Sequence, residues 1–468
     1  MTRISNRAQR IVMGTAIGVS LLTPAACSNV KDSLLEAPIP TVIDPTAANS
    51  AAGAEALRIG TISRIRQITA GSGAGDSPWM FAGLITDEWK SSDTFSQRNE
   101  TDQRSIQDNN ANLTPILRDL NRVRTSAREA IIALGTYAPA PGANTAKIAE
   151  MYMSMGIAEL YIAEWFCNGT PLGDASTGTP ISTAPLSNVE VYNLALAHFD
   201  TALAGATTTD AFAVSVKNSA SVGKGRVLLE LGKFPEAAAA VASVATNFQL
   251  LATFSLTSGS NQIWSLGQSA KRWTVGDSFD ITGIVKNSLP FASAKDPRIP
   301  VTGTTLGTSP AGRGFDGATN LVYTTLWART DPAPIVSGLD ARLIEAEAKL
   351  KAGDIAGMMT ILNALRGAPQ NLGAITTPVM AALTAPTTQS DAVNLFFREK
   401  AFWTFSRGQR LGDLRRLIRL YGRAADGSDT FPSGAFFKGG TYSTDVNFPV
   451  SVDEQNNPEF KACTDRKA

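Results

Sequence analysis

The chain has 468 residues, 43% of them hydrophobic, with 42 Lys+Arg against 41 Asp+Glu. A balance this close to neutral argues against a nucleic-acid-binding domain, which carries a basic field across its whole extent. The apolar content excludes a disordered chain and is enough for a large core, and length alone permits two or three domains.

The first residues point to export. Arg3, Arg7 and Arg10 precede the apolar run IVMGTAIGVSLL, which is too short to span a bilayer as a helix and suits the middle of a signal peptide. The stretch TPAAC then places Ala25 and Ala26 directly before Cys27. This resembles a bacterial lipobox, with Pro24 where leucine is usual; an ordinary secretory signal cut near Ala26 is the alternative. The expectation is a lipoprotein signal peptide over 1–26, a lipidated Cys27 and a tether over 27–45, whose prolines and polar residues show no periodicity. Two or three acyl chains of the palmitate type on one residue, at about 0.8 kcal/mol per buried methylene, anchor a chain to a membrane durably. The folded body, 46–468, would then lie outside the cytoplasm as one domain. In that oxidising setting Cys167 and Cys463 form an even pair and read as a disulfide, with two buried thiols as the alternative.

Helical periodicity runs through most of the body. Ala54, Leu57, Ile62, Ile65 and Ile68 recur at near-helical intervals within 46–71, and further helices are expected over about 79–90, 111–136, 147–166 and 188–204. Three places carry the pattern of a helical hairpin. One has Val227, Leu228 and Leu231 before Gly232 and Pro235; another has Leu339, Leu343, Ala346 and Leu350 before Gly353 and Asp354. The third begins with Ile148, Met151, Met155 and Ile162. Glycine suits a left-handed position after a helix, and proline suits the first turn of the next. These alanine-rich pairs resemble tetratricopeptide hairpins at irregular spacing. Between about 255 and 335 the helical period stops, and Gly, Ser, Thr and Pro separate short apolar pieces around Trp264, Trp273 and Trp327. A region of this kind inside a helical protein reads as a functional loop-rich insertion with few short strands.

Little of the sequence speaks for catalysis. His198 is the single histidine and sits in a helical run, no G-x-S-x-G elbow occurs, and no Cys/His set has zinc-binding spacing. The glycine-rich GSGAGDSP and AGRGFDG lack the phosphate-loop form and read as turns. Asp87/Glu88 and Glu345/Glu347 read as solvated helix faces. The expectation is a non-enzyme without metal or cofactor. Aromatics are the remaining chemistry: Trp89, Trp165 and Trp403 fall in helical pattern and read as core, whereas Trp273 and Trp327, among polar loop residues, read as a binding face.

The C-terminal stretch REKAFWTFSRGQRLGDLRRLIRLYGR, 398–423, contains seven arginines and one lysine against Glu399 and Asp413. It reads as two helices broken near Gly408, with Glu399 and Asp413 pairing with arginines among Arg410, Arg415 and Arg416.

Taken with the lipobox and hairpins, this stretch resembles the SusD/RagB family of outer-membrane nutrient-binding lipoproteins. Arg398, Glu399, Gly408, Arg410, Asp413, Leu414, Arg415 and Arg416 match its R-E and G-x-R, D-L-R-R pattern. Pro449, Glu454, Asn457 and Pro458 match its terminal pattern. Trp403 and Arg407 stand where the family has glutamates, and Ser451 stands in place of a proline. GLITDEW and AEAKLKAGDIAGMMTILNALR resemble two further family segments, so the likeness covers nearly the whole mature chain. It implies a mostly α SusD-like fold and a non-catalytic role: capture of an oligosaccharide or other nutrient beside a TonB-dependent outer-membrane transporter. By position, it makes Phe95 and Asn99 after GLITDEW, with Trp273 and Trp327, the candidate ligand residues. A periplasm-facing tetratricopeptide-like scaffold lipoprotein in envelope assembly is the competing reading.

Overall fold

Serine and aspartate side chains start half of the twelve helices named below. In the computed structural model, which describes residues 49–71, 75–179, 181–280, 283–303, 312–425 and 430–468, Ser50 accepts from the Gly53 amide at 3.0 Å and opens helix α1, Ala51–Gln67. Ser77 with Pro78 opens α2, Pro78–Leu84. The expected signal peptide, the lipidated Cys27 and the tether lie outside the described residues.

Strand β1, Trp89–Ser91, and α3, Ser96–Asp102, follow, then two long helices, α4, Leu113–Thr136, and α5, Thr145–Trp165. After the short strands β2, Thr170–Pro171, and β3, Pro185–Leu186, a Ser187/Glu190 capping box begins α6, Asn188–Gly205. Helices α4, α5 and α6 pack side by side, with α1 against α4. The ring of Phe199 on α6 occupies space left by two glycines: a Cβ on Gly156 of α5 or Gly223 of α7, Ala211–Glu230, would come within 2.8 or 2.3 Å of it.

Two of the expected hairpins are present. Helix α7 turns at Gly232, with φ of 74°, into α8, Phe234–Val241. Helix α9, Gly338–Lys351, opens on a Ser337/Asp340 capping box and turns at Gly353 into α10, Ile355–Arg366, where Asp354 accepts from the Gly357 amide at 2.8 Å. Helix α8 lies on α9, so the hairpins stack. Each fully buried Leu, Ile or Phe along these faces contributes about 1.5–3 kcal/mol.

The helix expected over 79–90 ends early. Asp87 sits at φ of 59°, and the chain leaves the turn as β1, which pairs antiparallel with β5, Trp273–Val275, in the register Trp89↔Val275 and Ser91↔Trp273. A backbone ladder to a segment far along the chain outweighs local helical pattern here. Asp87, Glu88 and Glu347 are buried, not solvated.

Short strands mark the 255–335 insertion and its edges: β4, Gln249–Ala252, pairs with β10, Ala333–Ser337; β6, Phe279–Asp280, with β7, Gly283–Ile284; and β8, Val301–Gly303, with β9, Val322–Thr324. Beyond it, β11, Asn371–Leu372, and β12, Ile375–Thr376, form a tight hairpin before the last two helices, α11, Gln389–Trp403, and α12, Arg410–Tyr421.

The break between α11 and α12 is fixed sterically. Gly408 has φ of 66°, and a Cβ there would meet Trp79 at 2.6 Å and Trp165 at 2.9 Å. Its carbonyl accepts from the Trp165 indole at 2.9 Å. The charges of this stretch are partnered differently from the expectation. Glu399 accepts from Arg298 at 2.7 Å and Arg366 at 3.1 Å, from outside the stretch. Asp413 does take Arg416, at 2.8 Å, but also Lys400 at 2.5 Å. Arg416 goes on to Glu347 and Glu230. Arg415 Nη1 donates to the carbonyls of Ala163, Glu164 and Phe166 at 2.7–3.1 Å, closing the C-terminus of α5. Among the described residues Arg410 meets no carboxylate at bonding distance. The reason is topological: most partners of these arginines lie far off in sequence, Glu347 being 69 residues from Arg416 and Ala163 252 from Arg415.

Cys167 and Cys463 form a disulfide with Cα atoms 6.0 Å apart across 296 residues. The tail is also held by backbone: the Cys167 amide donates to Phe448 at 2.9 Å, and the Phe448 amide to Trp165 at 2.8 Å.

Candidate functional site

The turn Asp87–Glu88 and the β1–β5 ladder bring three loops together. They are 92–95 before α3, 312–320 before β9, and 434–442, which is closed by the Ala435↔Thr441 bridge. Between them lies a cleft of about 480 Å³, lined by Lys90, Asp93, Asn99, Phe279, Asp316, Phe437 and Lys438 among others. A volume of this size fits one or a few small rings.

Its polar wall is built around Lys438. The ammonium donates to the Asp93 carbonyl at 2.7 Å, Asn99 Oδ1 at 3.0 Å and Asp316 Oδ2 at 2.9 Å, using all three protons. Asp316 is itself fixed by the Ala318 and Thr319 amides and the Thr319 hydroxyl. Asp93 accepts two bonds of 2.9 Å from Arg272 and another from Arg98. Burial pushes the Asp93 carboxyl up, but the Arg272 hydrogen bond and the Arg98 charge outweigh it and hold it below the usual range. Lys90, at the floor, donates to the Asp277 carbonyl at 3.1 Å. Asp102, beneath it, is pushed well up by burial and by the nearby Asp87. Most of the charges here are engaged with one another, which fixes the shape of the wall before any ligand arrives.

The rim is apolar and open. Phe95 is 48% exposed and Phe279 is 42% exposed. Arg272 lies between two rings, 4.9 Å from the centroid of Phe95 and 3.8 Å from that of Phe315, so these faces are held in place by a stacked guanidinium. An exposed ring flanking fixed polar groups can stack on the C–H face of a ligand ring while hydroxyls exchange bonds with the wall.

Of the four expected ligand residues, Asn99 lines this cleft, and Phe95 is exposed next to the lining Thr94 but is not itself in the lining. Trp273 and Trp327 do not line it: they are 0% and 1% exposed. Trp273 lies in β5 beneath the cleft against Phe81, with ring centroids 6.5 Å apart, and Trp327 donates its indole N–H to the Leu372 carbonyl at 2.9 Å. Both anchor the insertion to the helical body. Their polar neighbours in sequence point outward while the tryptophans point in. Phe279, Asp316, Phe437 and Lys438 were missed. Phe315 and Asp316 lie in AGRGFDG, which reads as a plain turn, and Phe437 and Lys438 lie in AFFKGG, where paired aromatics before a glycine turn were the available signal.

His198 is not a free surface residue either. Its Nδ1 lies 2.6 Å from Glu159, a buried carboxylate that Arg124 also grips. Among the described residues no group of three or more His, Cys, Asp or Glu could hold a metal ion, and no helix is long and apolar enough to cross a membrane.

No protein-family model and no curated protein matches the chain. Solved structures do. A SusD superfamily protein from Parabacteroides distasonis aligns with a TM-score of 0.65 at 13% identity, covering 88% of this chain and 98% of that one. A SusD superfamily protein from Bacteroides thetaiotaomicron aligns at 0.64 and 13%, covering 89% and 100%. A SusD-like carbohydrate binding protein from Bacteroides fragilis aligns at 0.62 and 13%, covering 88% and 99%. The chain has the mostly α SusD-like fold.

Proposed function

We propose that this protein is a non-catalytic glycan-binding lipoprotein of the cell surface, which takes an oligosaccharide into the Lys90–Phe279–Lys438 cleft and passes it to a TonB-dependent outer-membrane transporter. The observation that carries the binding role is the cleft itself: exposed Phe279 beside a wall whose polar groups are already fixed. A SusD-like fold shared with proteins described as carbohydrate binding supports the ligand class. The basic, apolar and lipobox-like opening of the sequence supports export and lipid anchoring at Cys27. The partner transporter is drawn from the resemblance of the C-terminal motifs. A tetratricopeptide-like scaffold in envelope assembly would use the α7–α8 and α9–α10 hairpins equally well, but has no need of a preformed cleft with an aromatic rim. A glycan array followed by calorimetry on the best binder tests the role, with saturable binding and an unchanged glycan as the expected result. Cleavage of the glycan, or no binding across the array, speaks against it.

A further inference from the structure

Arginine is almost never fully buried unless paired, and this protein follows that rule at nearly every site. Arg124, Arg226, Arg298, Arg407 and Arg416 are buried and each grips a carboxylate. Arg415 instead spends its charge on three backbone carbonyls.

Arg410 is different. It is 4% exposed, yet among the described residues its side chain makes one hydrogen bond, from Nε to the Thr86 carbonyl at 3.3 Å, and lies 5.6 Å from the ring of Phe291. Glu88, Asp413 and Asp87 act on it through space, but among the described residues no carboxylate bonds it. Asp413 is held by Lys400 and Arg416. Asp87 lies 3.8 Å from Lys90. Burial pushes Glu88 up to about 8, so it is protonated and uncharged at neutral pH. A guanidinium out of water without an ionised partner is costly by several kcal/mol.

Its remaining donors have somewhere to go. Arg410 lines a cavity of about 250 Å³ between α11 and α12, walled by Val393, Phe397 and Leu414, with the exposed Arg398 on the same wall. Among the described residues Arg398 has no carboxylate partner; its guanidinium stands 5.7 Å over Phe402. Two arginines therefore line one small, partly apolar recess. Forked N–H donors match the oxygens of carboxylate, sulfate and phosphate.

We propose that the Arg398–Arg410 cavity is a binding site for a small oxyanion, separate from the glycan cleft. The anion would bridge the two arginines and give Arg410 a directly bonded counter-charge. Its source is either a free ion or the acidic group of a charged sugar, and the two present the same oxygens.

The test is calorimetric titration of the full chain at pH 7 and constant ionic strength, chloride being exchanged for sulfate, acetate or glucuronate. Constant ionic strength matters because sulfate stabilises any folded protein through exclusion from its surface. The expected result is saturable one-site binding of at least one of the three, weakened tenfold or more by Arg398→Gln and by Arg410→Gln. Tighter binding of sulfate or acetate assigns a free ion, and tighter binding of glucuronate assigns a charged sugar. Arg398 is exposed, so its variant folds even if that of Arg410 does not. Absence of saturable binding for all three anions, or an affinity unchanged by Arg398→Gln, would overturn the proposal.

Discussion

Arg416 and Glu347, 69 residues apart in sequence, meet in a two-pronged contact. Nε donates to Oε1 at 2.7 Å and Nη2 to Oε2 at 2.8 Å, with both side chains buried. Arg416 also reaches Glu230 and Asp413, and so ties α12 to α7 and to α9. This knot is the core of the C-terminal half. Removing one partner of a buried pair costs about 3–5 kcal/mol because the other charge stays behind. Arg416→Leu removes the shared partner of Glu347, Glu230 and Asp413, of which Glu230 keeps Arg419 and Asp413 keeps Lys400, and is expected within that range. Asp413→Ala leaves Arg416 with two acids, and is expected to cost about 2–3 kcal/mol, more than the ~0–1 kcal/mol of an exposed pair. Urea midpoints at pH 7 check both; an Asp413→Ala midpoint equal to that of the parent contradicts the knot.

Glu88 gives a pH prediction. Burial, the largest cause, raises its carboxyl from 4.5 to about 8, against the opposing charge of Arg410. The folded state thus keeps a proton that the unfolded chain releases above the ordinary carboxylate pKa. The stabilisation is fully present below pH 4.5 and is lost as pH rises to about 8. At about 1.4 kcal/mol per pH unit the loss is on the order of 5 kcal/mol. Glu88→Gln mimics the protonated form, so its melting temperature relative to the parent is expected to climb between pH 5 and pH 9. A constant difference across that range would contradict a buried, protonated Glu88.

The Cys167–Cys463 disulfide closes a loop of 296 residues, for which the chain-entropy estimate is roughly 5–6 kcal/mol and measured effects are often smaller. Cys463→Ser is expected to lower the denaturation midpoint while leaving glycan affinity unchanged, since the bond lies in the tail and not at the cleft. Unaltered stability in the variant would show that the backbone bonds of Phe448 alone hold that end.

Gly408→Ala combines a left-handed backbone with a Cβ 2.6 Å from Trp79. Trp79 and Trp165 are fully buried, so neither ring has room to yield. A loss of several kcal/mol, or failure to fold, is expected; a normally stable Ala variant would mean the α11–α12 break is set elsewhere.

The helical body was legible because its signals are local. The Gly232 and Gly353 turns, the Asp354 cap and the apolar faces of α4 to α10 all follow from a few adjacent residues. What failed depends on residues distant in sequence. Trp89 belongs to a strand because Val275 pairs with it. Trp273 is core because it lies between that ladder and Phe81. Glu399 takes Arg298 rather than its neighbours in the stretch. The cleft was half legible: Phe95 and Asn99 were placed by resemblance, but Phe279, Asp316 and Lys438 reach it only through loops whose packing no local pattern encodes.

The central claim is that the Lys90–Phe279–Lys438 cleft binds a glycan through its aromatic rim. The most direct test is calorimetry with the best binder from a glycan array, on the parent and on Phe279→Ala. Phe279 is 42% exposed, so the variant is expected to keep its melting temperature. Loss of a central ring contact costs more than about 1–2 kcal/mol, or tenfold and upward in Kd. A tenfold or greater weakening with intact stability is the predicted result. Equal affinity in Phe279→Ala and in Phe95→Ala would place the glycan elsewhere and contradict the assignment.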